Sequence, residues 1–215
     1  RVLASITDRV PEALDMVRRA AGDPHPRVRL EAVRTASFLR MPEAIETLAI
    51  AGEFPSDRFM DYVKTEAARV LEPEYQEARA AGKTIAFTTR PGLDFHYGSM
   101  TTDQLAAEPR SLAVYRAMLL RSGLDERLRA EAVEALAKAD KTSVVSVVVG
   151  ALAALDARSG DVDSATVFEL IRLLLARPAV ELAALRGDME KLALEARRPI
   201  MRRIGYVALM TIDAA

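Results

Sequence analysis

The sequence predicts an all-α fold: a right-handed α-solenoid of about five stacked helix pairs, interrupted by one irregular insertion. Three observations carry this expectation. Apolar residues recur at helical spacing along almost the whole chain. Of 215 residues 38 are Ala, Asn is absent and Gln occurs twice; Ala has the best helix propensity, and Asn mostly serves caps and turns. The third observation is internal repetition. Arg27-Val28-Arg29-Leu30-Glu31-Ala32-Val33 returns as Arg127-Leu128-Arg129-Ala130-Glu131-Ala132-Val133 one hundred positions later, and more weakly as Met201-Arg202-Arg203-Ile204-Gly205-Tyr206. Repeated helical units bury their apolar faces by stacking on one another.

Element by element, the first helix is expected near Pro11–Ala21, with Ala13, Leu14, Val17, Ala20 and Ala21 on one side and Gly22 past its end. The turn Asp23-Pro24-His25-Pro26 leads to a second helix carrying Val28, Ala32, Val33, Ala36 and Leu39. Pro26 suits the first helical position, where the missing N–H costs nothing. A third helix starts at Pro42-Glu43 and stops near Gly52. Ser56 or Asp57 then caps a long helix with the stripe Phe59, Tyr62, Val63, Ala67, Val70 and Leu71, which Pro73 is expected to end or kink. Lys83–Thr102 has no helical period and contains three Gly or Pro residues and many Thr, so it reads as an ordered insertion and the one place for strand. Helices resume over Thr102–Ala107, Ser111–Arg121, Glu126–Ala139, Ser143–Ala157, Ser164–Ala176, Ala179–Leu185, Asp188–Ala196 and Pro199–Ile212. Most of the joins are short, as neighbouring antiparallel helices require.

Composition narrows the function classes. With 30 basic and 31 acidic side chains the net charge is −1, which argues against a nucleic-acid protein held by a general phosphate field and against a polybasic membrane binder. No Cys means no thiolate metal site, disulfide, Cys nucleophile or CxxCH haem attachment. The charge-free run Thr142–Leu155 is shorter than the about 20 residues of a membrane span, and reads as a helix buried on most sides. The expectation is one domain over residues 1–215 that binds no metal, haem or organic cofactor. A start at Arg1, without Met or a signal-peptide pattern, suggests a segment excised from a larger protein.

In the repeated motif a small residue (Ala32, Ala132, Gly205) lets a neighbouring helix approach, and an Arg stands three positions earlier (Arg29, Arg129, Arg202). These six are the expected repeat-packing residues. DPHPRVRLEAVRTASFL resembles the second-helix signature of HEAT repeats, particularly the bacterial phycobilisome-lyase-like subclass. In that family a turn Asp and the Arg stack from repeat to repeat as a hydrogen-bonded ladder. Only Asp23 matches the Asp here; Gly123 and Ala196 stand at the corresponding positions. The order RVRLEAVRTASF, Asp61-Tyr62, Leu71-Glu72-Pro73, Ala80–Lys83, Pro91–Leu93 and RLRAEAVEALAK is also similar to the helical-repeat segment of large exported bacterial proteins. Those proteins also carry a sugar-dehydrogenase-like propeller and a c-type haem domain, so the resemblance implies a periplasmic or exported scaffold. Neither the propeller nor a haem motif lies within these residues.

Chemistry-bearing residues are sparse. His25 lies between two prolines and reads as a capping or solvent-facing residue. His96, in Leu93-Asp94-Phe95-His96-Tyr97, is where carboxylate, imidazole and phenol meet in sequence, but general acid–base work needs them within reach of a substrate. No zincin, nucleophile-elbow or P-loop motif occurs. Of Arg197, Arg198, Arg202 and Arg203, two are expected to pack over neighbouring helices and two to face water. Seven of the eleven aromatic residues fall between Phe54 and Tyr97, as anchors for the insertion or as a binding surface. Loops on a rigid scaffold carry a large share of binding residues. Arg90, Phe95, His96 and Tyr97 are therefore the candidate contacts to a protein partner or a neighbouring domain of the same chain, with no nucleic-acid partner and no membrane span. The enzyme alternatives are a HEAT-like DNA glycosylase and a tetrapyrrole lyase.

Overall fold

The computed structural model describes residues 12–158 and 160–214. Every regular element among them is helical and no strand occurs, so the fold is all-α. The chain divides into two compact units between Ser99 and Met100.

In the first unit, α1 (Ala13–Ala21) pairs with α2 (Pro26–Ala36), and a 3-10 turn (Pro42–Ile45) running into α3 (Glu46–Gly52) pairs with α4 (Arg58–Ala80). Pro11, expected at the start of the first helix, lies outside the described residues. Pro26 takes the first position of α2, and His25 caps it by accepting the Arg27 amide proton on Nδ1 at 3.2 Å. Asp57 caps α4, accepting from Phe59 N and Met60 N at 3.0 and 2.8 Å.

Two expectations fail in this unit, and of the two outcomes expected of Pro73 one does not occur. Leu39 lies beyond α2, in the turn after it. The buried face of α4 is Met60, Ala67, Leu71, Tyr75 and Ala78, whereas Phe59, Tyr62 and Val70 of the expected stripe are exposed. Pro73 does not end α4, which runs on for seven more residues to Ala80. Pro73 and the residue whose carbonyl it orphans, Arg69, both lie on the solvent-exposed side of the helix, where a lost backbone hydrogen bond costs least.

The second unit contains α6 (Thr102–Ala107), α7 (Leu112–Leu119), α8 (Glu126–Ala139), α9 (Val144–Ala157), α10 (Ser164–Leu175), α11 (Ala179–Ala183), α12 (Arg186–Glu195) and α13 (Pro199–Asp213), after α5 (Arg90–Gly98) of the first unit. Here α7 pairs with α8, α9 with α10, and α12 with α13. With the two pairs of the first unit, the described residues form five pairs. The charge-free run becomes α9, buried along Val145, Val148, Val149, Leu152 and Leu155. Its apolar residues join Leu170, Leu174, Met189 and Met201 in the core of this unit. No described helix is long and apolar enough to cross a membrane.

Two close approaches depend on glycine. A Cβ on Gly205 of α13 would come within 2.7 Å of Ala193 Cα and 2.8 Å of Met189 O on α12. A Cβ on Gly92 would overlap the Glu46 carboxyl, its Cδ at 2.6 Å.

Candidate protein-binding site

The expected irregular insertion is half helix. Residues 83–89 have no regular secondary structure, and α5 follows them. Thr89 caps α5 and Pro91 occupies its first turn, where no N–H is missed. Its nine residues include two Gly and one Pro, which leaves too few apolar positions to show a helical period in sequence.

Residues that sequence reasoning did not single out hold this segment down. Glu46 of α3 has no solvent exposure. Its Oε1 accepts Thr88 N at 3.0 Å, and Thr89 N and Thr89 Oγ1 at 2.6 Å each. Its Oε2 lies 2.6 Å from Nε of Arg18 on α1, itself nine-tenths buried. Arg18 also donates to Ala86 O at 3.0 Å and to Asp15 Oδ1 at 3.0 Å. A buried carboxylate is tolerable only when paired and hydrogen-bonded, and this one is both. The sequence signal was a Glu and an Arg on otherwise apolar helix faces, each of which reads by itself as a solvated charge.

A second anchor lies at the far end of α4. Tyr75 is fully buried, and its hydroxyl lies 2.8 Å from His96 Nδ1 and 3.1 Å from Ser99 Oγ. Its ring packs against Phe87 and Phe95, with centroids at 6.0 and 5.4 Å. Arg79 caps the group, its guanidinium 5.5 Å from the Tyr75 ring and Nη1 donating to Ser99 Oγ at 3.1 Å. Burial, and then the Arg79 charge, push the His96 pKa below the usual imidazole value, so the ring is neutral near pH 7.

The four candidate contacts thus share α5 but differ in setting. Arg90 stands in solvent at the helix start, its side chain 82% exposed and 3.6 Å from Asp94. Phe95 packs on the core of the unit, and His96 bonds Tyr75. Tyr97 is half-buried, its ring 5.1 Å from that of His96.

The repeated arginines all do one thing. Arg29 donates through Nη1 to Asp23 O and Pro24 O at 2.8 and 2.9 Å. Arg202 donates through Nη1 to Ala196 O and Arg197 O at 2.7 and 2.9 Å. Arg129, fully buried, donates to Leu119 O at 2.6 Å and Arg121 O at 2.7 Å. Each satisfies carbonyls that a helix end and its turn leave without partners. One turn along the same helices, Ala32, Ala132 and Gly205 are buried.

This arrangement of paired helices and turn-clamping arginines agrees with the comparison of the chain against known families. Residues 1–72 match HEAT repeats. The match covers both helix pairs of the first unit up to Glu72 in α4. HEAT repeats generally mediate protein–protein interaction and are typically non-catalytic. No curated protein and no solved structure matches the chain.

Within the HEAT-like pairs, Asp23 caps its own turn, accepting His25 N at 2.7 Å, and its carboxylate does not reach Arg29. Two other carboxylates tie successive pairs together. Asp156 of α9, nearly buried, accepts the amides of Arg197 and Arg198 at 2.7 and 2.9 Å. Asp163, the cap of α10, accepts from Ser122 Oγ at 2.8 Å and Thr166 Oγ1 at 2.7 Å. Those hydroxyl donors hold its pKa down at about 2. Of the four C-terminal arginines, Arg198 and Arg202 bond turn carbonyls, while Arg197 and Arg203 are exposed. Among the described residues no group of three or more His, Asp or Glu is placed to hold a metal ion.

Proposed function

We propose that this chain is a non-catalytic scaffold and protein-binding module of a larger bacterial protein, contacting a protein partner or a neighbouring domain through its insertion. One observation supports this most: a segment that departs from the repeat is fastened at both ends to the helical body, with an Arg left in solvent. The Arg18–Glu46 pair holds residues 86–89, and Tyr75 holds His96 and Ser99. Pre-organised surfaces bind with less entropy lost on association, and Arg and Tyr are enriched among the residues that dominate interfaces. In this reading Arg90 and Tyr97 touch the partner, and Phe95 and His96 position them. The resemblance to exported propeller-and-haem proteins makes a dehydrogenase or c-type cytochrome parent the context. The sequence on either side of the fragment tests that directly.

The binding experiment compares wild type with an Arg90→Ala/Tyr97→Ala variant. Loss of partner binding at unchanged melting temperature supports an interface. A lowered melting temperature with binding intact leaves only an anchor. A nucleic-acid enzyme would instead show salt-dependent DNA binding; with a net charge of −1, none is expected.

A further inference from the structure

The hydrogen bonds around Tyr75 fix the position of a proton. Ser99 Oγ takes part in three of them: it donates to His96 O at 2.8 Å and lies 3.1 Å from both Arg79 Nη1 and Tyr75 OH. A carbonyl only accepts and a guanidinium only donates, so the one Ser99 proton is spent on His96 O. Ser99 then accepts from Tyr75, which spends the one phenol proton. In the remaining contact, Tyr75 OH to His96 Nδ1 at 2.8 Å, the ring must be the donor. Neutral His96 is therefore the Nδ1–H tautomer, with a lone pair on Nε2. His25 is the opposite case: its Nδ1 accepts from Arg27 N, which places its proton on Nε2.

Among the described residues none bonds Nε2 of His96, and that atom is open to solvent. From α4 the ring faces Tyr75 and Arg79, from residues 83–89 the uncharged Phe87, and on α5 itself Tyr97. Asp94, the acid of α5, stands 3.6 Å from Arg90. A charge added to the ring would meet the Arg79 cation, and no carboxylate among the described residues is paired with it. Burial and that cation both disfavour the imidazolium, so Nε2 is bare near pH 7.

We infer that α5 presents His96 Nε2 as a hydrogen-bond acceptor for an N–H or O–H group of a protein partner, and that acid closes this site by protonating the same atom. Protonation turns the acceptor into a donor, and a partner donor that fits the neutral ring finds no lone pair on the charged one. The acceptor is present above pH 6.5 and is lost as the pH falls through the lower value of the folded ring. This rests on the insertion reading and deepens it: His96 does not only position Arg90 and Tyr97 but touches the partner itself.

The test uses the whole chain with 15N-labelled histidine. Long-range proton–nitrogen correlation spectra distinguish protonated from bare ring nitrogens. His96 is expected to show a protonated Nδ1 and a bare Nε2, and His25 the reverse. In Ser99→Ala, at an exposed position, the Tyr75 proton loses its acceptor and turns to Nδ1, so His96 should switch to the Nε2–H tautomer. Diethyl pyrocarbonate, which acylates an accessible bare ring nitrogen, should modify His96 in the folded chain. The reaction should be severalfold slower in Ser99→Ala, and slower again as the pH drops below 6.5. A wild-type ring protonated at Nε2, a tautomer indifferent to Ser99→Ala, or an unreactive His96 in the folded chain would overturn the proposal. Such a failure, with partner binding still lost on Arg90→Ala/Tyr97→Ala, removes the acceptor and leaves the insertion reading standing. Binding that survives that double variant overturns the insertion reading and with it the partner, whatever the spectra show.

Discussion

Glu46 stands at the centre of the first unit's polar chemistry, because four donors from two segments, α1 and residues 88–89, converge on one buried carboxylate. Removing it leaves Arg18 Nε without its carboxylate and releases the backbone of Thr88 and Thr89. Breaking one side of a buried pair costs about 3–5 kcal/mol, so Glu46→Ala should lower unfolding stability by that order in urea titration. A change below about 1 kcal/mol, the range of surface pairs, would mean the node is solvated. His96 gives a pH signature. Its folded pKa lies below the 6.5 of the free group, so below that pH the unfolded chain takes up a proton that the native ring declines. Stability is therefore intact above pH 6.5 and falls as the pH drops toward the folded value. His96→Gln should flatten the decline between pH 7 and 5 in thermal melts, and an unchanged slope would assign it to other groups.

Among the elements, the repeated helices are the most tightly specified. Ala132 has no exposure and α8 packs against both α7 and α9; the larger Ala132→Leu side chain should cost roughly 1–3 kcal/mol through overpacking. Calorimetry showing neutral effects at both Ala32 and Ala132 would place the repeat register elsewhere. Helix positions were legible because their causes are local. Ser143, Asp57 and Pro26 mark starts, and the bounds of Thr102–Ala107 and Glu126–Ala139 follow from caps and apolar spacing. The face of α4 was not legible, since its 23 residues include apolar side chains on two sides and only tertiary packing selects Met60, Ala67 and Leu71. Pro73 misled for a similar reason: its cost depends on whether the orphaned carbonyl reaches water. Of the candidate site, the location at 83–102 and the aromatic character were readable. The Arg18–Glu46 pair was not, because 28 residues separate partners that only the fold brings together.

At the scale of the whole molecule there are two compact helical units, the first bearing a fastened insertion. Binding through the insertion requires that it behave as part of the rigid body and not as a free loop. Local openings differ in free energy across a protein, and amide exchange reads them residue by residue. The most direct measurement is native-state hydrogen exchange of the Thr88 and Thr89 amides, which donate to buried Glu46. A fastened insertion requires exchange as slow as that of core amides such as Leu71, with protection lost in Glu46→Ala. Exchange near the unprotected rate in the wild-type chain would contradict it.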